Sequence, residues 1–265
     1  MAKNYALITG ASRGLGKAFA QELAQNNHHL ILVSLPNEGL ENVARELHKN
    51  GNEVLFFETD FCKKKNIAEF SKQINAQYNI DILINNAGFG GGMHFLEADG
   101  EYLDKIIQLN VRATSLLTHQ LLPNLLRQKK AYVLNVSSLA AKSPIAYKTV
   151  YPASKAFVHN FTRSLQNEFS ESPVSFSVLN PGPMKTNQDV SERFKKHGRM
   201  INLIFIPTEE VARVSIKQMF RKKKVIKLNW AHRFGWFLLH VVPESIRAAI
   251  LSRSARKEVS KKIGG

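Results

Sequence analysis

The sequence predicts an α/β fold in which a doubly wound, seven-stranded parallel sheet carries helices on both faces. Short apolar and β-branched runs alternate along the chain with longer amphipathic stretches, which is typical of successive βαβ units. A glycine-rich segment joins the first such run to the first amphipathic stretch, as in Rossmann-like nucleotide-binding folds. No Pro/Gly/Ser-rich linker is evident before the C-terminal part of the chain. We therefore expect one domain over residues 1–230 and a basic, aromatic-rich C-terminal extension over 231–265.

The strands are predicted from short apolar runs, and the helices from apolar residues spaced three and four apart. The predicted strands are Tyr5–Thr9, His29–Ser34, Glu53–Glu58, Asp81–Asn85, Ala131–Ser137, Pro173–Asn180 and Val225–Leu228. The predicted helices are Gly14–Asn26, Leu40–Asn50, Lys63–Tyr78, Glu101–Gln128, Val150–Ser170 and Thr208–Arg221. Because a helix fills each crossover, the connections should be right-handed, and ligands should bind beyond the carboxyl ends of the strands.

The composition is that of a globular protein with an uneven charge distribution. A hydrophobic content of 44% allows a large core, and the single cysteine, Cys62, excludes an internal disulfide. The N-terminus leads directly into a predicted strand, so we infer no signal peptide and expect a cytoplasmic protein. The net charge is +16, and residues 221–265 alone contain twelve Lys/Arg and two Glu. Such a basic segment can contact anionic lipid or nucleic acid, or can keep the protein soluble.

The segment Thr9-Gly10-Ala11-Ser12-Arg13-Gly14-Leu15-Gly16 indicates a dinucleotide site. Glycines in a strand-to-helix turn allow a tight bend and let backbone N–H groups approach a pyrophosphate at the helix N-terminus. The segment lacks the Gly-Lys-Ser/Thr of a P-loop, which argues against nucleotide hydrolysis. The expected cofactor contacts are Thr9, Gly10, Ser12, Arg13, Gly14, Leu15 and Gly16.

The end of the second strand bears on the choice between NADP and NAD. NAD sites usually carry an acid there, whereas this strand ends Val33-Ser34-Leu35 and Arg13 can pair with a 2′-phosphate. We therefore expect NADP, with Ser34 at the same site. The nearby Glu38 keeps NAD open, and Arg13 could instead be a solvated loop charge.

A further acid, Asp60, lies two residues past the third predicted strand. Its carboxylate could accept a hydrogen bond from the adenine amino group. It could equally be a helix N-cap, a position at which Asp is favoured on local grounds. The sequence leaves both roles open.

The segment Tyr151-Pro152-Ala153-Ser154-Lys155 places a phenol and an ammonium on one face of a predicted helix, one turn apart. A nearby cation can stabilise the phenolate and lower the pKa of the tyrosine, so Tyr151 is the candidate proton donor and acceptor. Such a pair is usually a solvated helix face. Ser138, directly after a predicted strand, could reach the same sheet edge and orient a carbonyl, or could simply cap the strand end.

Taken together, these motifs resemble those of the short-chain dehydrogenase/reductase family in its single-domain form, over about residues 5 to 230. The resemblance rests on the glycine-rich segment, Asn85-Asn86-Ala87-Gly88, Asn110, Ser138, Tyr151 with Lys155, and Pro181-Gly182 followed by Thr186. Leu35 stands where many NADP-using members carry a basic residue.

The resemblance implies a role for each matching residue. Tyr151 would be the general acid/base, Ser138 would position the carbonyl, and Lys155 would tune the tyrosine and bind the nicotinamide ribose. Asn110 would hold a water that links Lys155 to solvent. Asn86, Ala87 and Gly88 would lie beside the adenosine ribose, and Pro181, Gly182 and Thr186 would face the nicotinamide. The cofactor supplies the hydride, and no metal is expected, because the histidines show no paired ligand spacing.

The resemblance also implies that residues 1–230 are a dinucleotide-binding catalytic domain and that its loop at 183–207 covers the substrate. Its apolar residues suggest a hydrophobic ketone, acyl, sterol-like or sphingoid substrate, or else they pack against the core. These residues are Met184, Phe194, Met200, Ile201, Leu203, Ile204, Phe205 and Ile206, with Gly90, Gly91, Gly92 and Met93 expected on the opposite wall.

The C-terminal extension has several candidate roles. It contains Trp230, Phe234, Trp236, Phe237, Leu238, Leu239, Val241 and Val242 among basic residues. Its longest uncharged run is far shorter than the ~20 apolar residues that cross a bilayer. It could lie on a membrane surface, form a dimer or tetramer contact, or extend the lid.

The leading functional prediction is an NADP-preferring oxidoreductase acting on a small-molecule carbonyl or alcohol. The alternative is a catalytically idle, cofactor-sensing protein that uses the basic tail to bind nucleic acid or a membrane surface. We expect no nucleic-acid partner, because the tail contains no recognisable groove-reading motif.

Overall fold

The computed structural model describes residues 3–48, 51–182, 206–229 and 241–263, the side chains of 257, 258 and 260–263 excepted. The strands are β1 (Asn4–Thr9), β2 (His29–Ser34), β3 (Val54–Glu58), β4 (Asn79–Asn85), β5 (Ala131–Val136), β6 (Val174–Leu179) and β7 (Val225–Ile226). All neighbouring strands pair in parallel, in the order β3-β2-β1-β4-β5-β6-β7. The predicted seven-stranded parallel sheet is therefore confirmed.

Helices cover both faces of this sheet. The α-helices within the described residues are α1 (Gly14–Gln25), α2 (Leu40–Leu47), α3 (Lys64–Gln77), α4 (Gly100–Ile106), α5 (Thr114–Leu126), α6 (Val150–Glu168), α7 (Thr208–Phe220) and α8 (Glu244–Ile263). Short 3₁₀ turns lie at Phe95–Glu97 and Leu139–Lys142, and a π-helical segment lies at Ile107–Ala113.

The two hydrophobic cores follow from the alternation of side chains along the strands. Along β1, Ala6 and Ile8 pack with α1, α2 and α7, whereas Tyr5 and Leu7 pack with α3 and α5 on the other face. The sheet is thus buried on both sides, as its nearly continuous apolar strands predict.

Three elements differ from the prediction. The single helix predicted over Glu101–Gln128 is two α-helices joined by the π-helical segment. Strand β7 has two residues, because it pairs with β6 only at Val225 and Ile226. Helix α8 was not predicted, since its apolar and basic residues follow no clear 3.6-residue pattern.

The strand order places the candidate site. After β3 at one edge, the chain returns to the centre and adds β4 on the other side of β1. The loops after β1 and β4 therefore lie side by side where the winding direction reverses, which is where open α/β sheets bind ligands.

Candidate active site

The glycine-rich turn after β1 is held by the loop after β4. The Thr9 hydroxyl oxygen accepts hydrogen bonds from the backbone N–H groups of Asn86 and Ala87, both at 3.0 Å. The Asn86 amide donates in return to the carbonyl oxygens of Thr9 and Gly10, at 3.0 and 3.2 Å. A Cβ atom on Gly16 would lie 1.9 Å from the Gly10 carbonyl oxygen, so only glycine fits there. Hydrogen bonds and close packing therefore fix the turn after β1 against the loop after β4.

The N-terminus of α1 suits an anionic group. The helix begins at Gly14, and the residue before it, Arg13, makes no side-chain capping hydrogen bond. The first turn contains no acidic residue, and the Leu15 side chain is buried in the core. Backbone N–H groups of this first turn are thus left for a ligand, which fits the pyrophosphate of a dinucleotide.

The loop between β2 and α2 brings a carboxylate to this turn, whereas the end of β2 itself has none. Glu38 lies in the loop before α2, where its Oε1 atom is 3.0 Å from Arg13 Nη2. Its other carboxylate oxygen accepts a 2.7 Å hydrogen bond from the Ser12 hydroxyl. Arg13 is therefore ion-paired rather than merely solvated, which changes the electrostatic argument for NADP.

Two other predicted cofactor residues, Ser34 and Asp60, lie at the same edge of the sheet, at the carboxyl ends of β2 and β3. The Ser34 hydroxyl donates to the Leu35 carbonyl oxygen at 3.0 Å, and Ser34 is buried. The carboxylate of Asp60 accepts a hydrogen bond from the Cys62 backbone N–H at 2.9 Å. The helix N-cap role for Asp60 is wrong, because α3 begins at Lys64 and its N-cap is Lys63.

The tyrosine and the lysine lie on adjacent turns at the start of α6. Tyr151 is its second residue, and the Lys155 Nζ atom lies 5.9 Å from the centre of the Tyr151 ring. Ser138, at the start of the 3₁₀ turn after β5, hydrogen-bonds the Tyr151 side chain. Its hydroxyl oxygen also accepts from the Ala140 N–H at 3.1 Å, so it caps the 3₁₀ turn as well. The three side chains are thus brought together at one sheet edge.

The pKa of the tyrosine differs from the expectation. Burial raises the pKa of Tyr151 above its usual value, and the hydrogen bond from Ser138 offsets this in part. The expected lowering by Lys155 is wrong for this geometry, because its ammonium donates instead to the Val136 carbonyl oxygen, at 3.0 Å. Burial also lowers the pKa of Lys155 to about 8. The phenol is therefore protonated at neutral pH, as a proton donor must be.

Asn110 lies in the π-helical segment and is fully buried. Its amide nitrogen donates to the Ser154 hydroxyl and to the Phe89 carbonyl oxygen, both at 2.9 Å, and its Oδ1 accepts from the Phe89 N–H at 2.8 Å. Ser154 in turn donates to the Tyr151 carbonyl oxygen at 2.7 Å. This chain of hydrogen bonds joins the loop after β4, the π-helical segment and the start of α6. Since π-helical bulges often mark functional sites, the departure from the predicted helix falls at a predicted site residue.

Two glycines after β4 lie against the side chains of Lys155 and Tyr151. A Cβ atom on Gly88 would lie 3.0 Å from Lys155 Nζ, and one on Gly90 would lie 2.1 Å from Cδ2 of the Tyr151 ring. The backbone of Gly90 therefore packs directly on the phenol. The sequence suggested Gly90 for the substrate wall, whereas the structure places it against the ring of Tyr151, the predicted proton donor.

The remaining predicted residues border the same edge. The Pro181 carbonyl oxygen accepts from the Leu139 N–H at 3.0 Å, and Gly182 faces the Leu139 side chain. Thr186, the predicted loop residues 183–205 and the aromatic segment 230–240 lie outside the described residues. A cleft next to the start of α6 is lined by, among others, Gly91, Met93, Phe95, Tyr102, Tyr147 and Val150.

Helix α8 packs beside this cleft. Arg247 donates to the Lys142 carbonyl oxygen at 2.5 Å, and the Ser252 hydroxyl oxygen accepts from the Ala146 N–H at 2.9 Å. Within the described parts of the chain, no cluster of three or more His, Cys, Asp or Glu could hold a metal ion. No described helix is long and apolar enough to cross a membrane.

A sequence model of the short-chain dehydrogenase family matches residues 4–197. The chain belongs to this family. The family predicted from the motifs is therefore confirmed, and the matched range contains the glycine-rich turn, Ser138, Tyr151 and Lys155.

Curated relatives include human 17-beta-hydroxysteroid dehydrogenase type 3, which is 36% identical over 186 residues, covering 69% of this chain and 59% of the relative. The human inactive hydroxysteroid dehydrogenase-like protein 1 is 27% identical over 263 residues, covering 96% of this chain and 78% of the relative. The family thus includes both enzymes and proteins described as inactive.

Solved structures share the fold. A bulky-bulky ketone specific alcohol dehydrogenase from Comamonas testosteroni superposes with a TM-score of 0.77 at 24% identity, over 95% of both chains. A metagenomic short-chain oxidoreductase in complex with NADP has a TM-score of 0.69 at 27% identity, over 84% of this chain and 92% of that chain.

Sequence reasoning missed the positioning roles of Ser154 and Gly90 and the contact of Glu38 with Arg13. Ser154 lies inside the Tyr151–Lys155 segment, but no local pattern shows that its hydroxyl meets Asn110, 44 residues away. Such contacts depend on how the loops and helices pack.

Proposed function

We propose that this protein is a nicotinamide-dependent oxidoreductase that interconverts a carbonyl and an alcohol. The observation that carries the proposal is the meeting of Tyr151, Ser138 and Lys155 beside the glycine-rich turn, at the switch point of the sheet. The bound dinucleotide would donate or accept the hydride. Residues 1–230 form the catalytic domain, and 231–265 form an extension to it.

Each side chain has a defined task in the reduction. Ser138 hydrogen-bonds the carbonyl oxygen of the substrate and orients it. Tyr151, protonated because it is buried, gives its hydroxyl proton to that oxygen while the carbonyl carbon receives the hydride. Lys155, whose ammonium donates to the Val136 carbonyl oxygen, would bind the nicotinamide ribose, and Asn110 would hold the relay water that restores the proton.

The expected cofactor is NADP, with NAD as the competitor. Arg13 in the glycine-rich turn can pair with a 2′-phosphate, and the similar metagenomic oxidoreductase is in complex with NADP. Thr9, Gly10, Gly14, Gly16 and the residues after β2 and β4 would bind the adenosine and the pyrophosphate. Pro181 and Gly182, which follow β6, would face the nicotinamide.

The substrate is hydrophobic. Met93 and Phe95, in the segment that follows Gly90, are 37% and 52% exposed and offer apolar surface to a substrate. The similar human protein is a hydroxysteroid dehydrogenase, and the Comamonas enzyme is specific for bulky-bulky ketones. Bulky aliphatic or cyclic ketones are therefore the first compounds to assay.

The test is turnover of a ketone panel by the purified full-length chain with NADPH and NADH, followed by nicotinamide absorbance. Tyr151→Phe removes the proton donor and should lower kcat at least a hundredfold, while the dissociation constant of the cofactor stays the same. Tyr132→Phe, on β5 beside Phe220, is the matched control and should keep full activity. Undiminished turnover by Tyr151→Phe would remove the assigned acid, and a wild-type chain that binds the cofactor without any turnover would favour the idle, cofactor-sensing alternative.

We also propose that the protein self-associates. Ile107 in the π-helical segment is 48% exposed, and Phe157 on the adjacent α6 is 40% exposed and stacks on Phe161. A dimer or tetramer would cover these apolar side chains. Sedimentation velocity of wild type and Phe157→Glu tests this: the variant should shift to monomer, and an unchanged distribution would exclude this face.

The second proposed contact is between α8 and an anionic membrane surface. Ile246 and Ile250, one turn apart, are 51% and 61% exposed, and Arg253 and Arg256 are exposed on the same helix. An apolar and basic helix surface is suited to lie at a lipid headgroup layer. Ile250→Glu should abolish sedimentation with phosphatidylserine-containing vesicles, and Leu126→Glu, at an exposed position of α5, should not. Binding of both variants, or binding to neutral vesicles alone, would contradict the contact.

A further inference from the structure

The loop between β2 and α2 turns one acidic side chain onto the glycine-rich turn. Glu38 lies between Asn37 and Gly39, whose φ angles are +63° and +72°. Asn and Gly are the residues that adopt this left-handed conformation at lowest cost. The resulting bend leaves the Glu38 side chain 19% exposed, so the carboxylate is held inward rather than solvated.

Each carboxylate oxygen of Glu38 has its own partner. Oε2 accepts from the Ser12 hydroxyl at 2.7 Å, and Oε1 pairs with Arg13 Nη2 at 3.0 Å. The Arg13 side chain is 71% exposed, so its guanidinium can turn toward a ligand. Glu38 therefore holds two side-chain groups of the glycine-rich turn that are able to bind a phosphate, the Ser12 hydroxyl and the Arg13 guanidinium.

We infer that Glu38 sets the discrimination between NADP and NAD, an inference that rests on the proposed dinucleotide site. To bind Arg13 and Ser12, a 2′-phosphate must displace both side chains from the Glu38 carboxylate. The phosphate then lies beside the negative charge of that carboxylate. A ribose 2′-hydroxyl is a hydrogen-bond donor, which the same carboxylate accepts without losing Arg13. Arg13 thus favours NADP, and Glu38 opposes that preference.

Glu38 does not lie at the end of β2, which is where an NAD site usually carries its acidic residue. Strand β2 ends at Ser34, and Leu35 follows it, so the strand end itself has no carboxylate. Glu38 comes four residues after the end of the strand and reaches the glycine-rich turn because the loop folds back. Cofactor choice in this chain therefore depends on a loop residue.

The test is the dissociation constants of NADP and NAD for full-length wild type, Glu38→Gln, Arg13→Gln and the double variant, by isothermal titration calorimetry. Glu38→Gln keeps the shape of the side chain and removes its charge, and should shift the affinity ratio toward NADP about tenfold. Arg13→Gln should shift the ratio the other way. In the double variant the gain from Glu38→Gln should shrink, because the released guanidinium is gone.

The matched control is Glu46→Gln, which removes an acid that is ion-paired with Lys17 at 2.8 Å and changes the net charge equally. It should alter the ratio less than twofold. An equal shift in Glu46→Gln, equal effects of Glu38→Gln on both dinucleotides, or weaker NADP binding by Glu38→Gln would each overturn the role of Glu38. Absence of all dinucleotide binding in the wild type would overturn the proposed function along with it.

Discussion

Replacing Lys155 by Met should make the protein more stable while it impairs catalysis. The ammonium is fully buried, and burial lowers its pKa from the ordinary 10.5 to about 8. That difference corresponds to about 3 kcal/mol of destabilisation while the group is charged in the folded protein. Met has a similar length and no charge, but it loses the hydrogen bond to the Val136 carbonyl oxygen, which contributes about 1 kcal/mol. A net gain of about 2 kcal/mol at neutral pH is expected.

The sign of the pH dependence follows from proton uptake. Between the folded pKa of about 8 and the unfolded value of 10.5, the unfolded wild type binds a proton at Lys155 that the folded wild type does not. Wild-type stability at this position therefore rises as pH rises through this window. The advantage of Lys155→Met should be largest below pH 8 and should vanish towards pH 10.5.

The assay is urea unfolding of wild type and Lys155→Met, followed by circular dichroism across this pH range. Lys72→Met, at an exposed position of α3, is the control and should change the free energy of unfolding by less than about 0.5 kcal/mol. If Lys155→Met is less stable than wild type at neutral pH, or if the difference does not change with pH, the burial cost assigned to this ammonium is refuted.

Three further predictions test the packing of the loops and helices that form the candidate site. Gly90→Ala should lower kcat at least tenfold without weakening cofactor binding, because its Cβ would lie 2.1 Å from the Tyr151 ring; equal activity in steady-state kinetics would contradict that contact. Asn110→Ala removes the three hydrogen bonds of a fully buried side chain and should cost about 3 kcal/mol in chemical denaturation, and a loss below about 1 kcal/mol would show that the network is not coupled. Thr9→Val leaves two backbone N–H groups without their acceptor and should weaken dinucleotide affinity and stability together, whereas Thr59→Val, at an analogous strand end, should change neither.

Several features could be predicted from the sequence because they are local or periodic. The alternation of apolar runs with amphipathic stretches predicted every strand of the sheet, and strand ends were within about two residues in most cases. Motif spacing placed Tyr151 and Lys155 on adjacent turns of α6. These properties depend on residues close together in the chain, so they can be recognised without the fold.

Other features depend on contacts between distant segments. The interruption of the predicted long helix at Asn110 follows from its hydrogen bonds to Phe89 and Ser154, 21 and 44 residues away. The contact of Glu38 with Ser12 spans 26 residues and reverses part of the electrostatic argument for NADP. The hydrogen bond of Lys155 to Val136, rather than to the phenol, likewise depends on how α6 packs on the end of β5.

The sequence by itself determined the fold class and the family and singled out the candidate reactive groups, because hydrophobic periodicity and short motifs encode them directly. Tertiary structure alone decided the charge environment of those groups. A pKa and an ion pair depend on burial and on which side chains meet across the sheet edge, and the order of residues along the chain does not specify those distances.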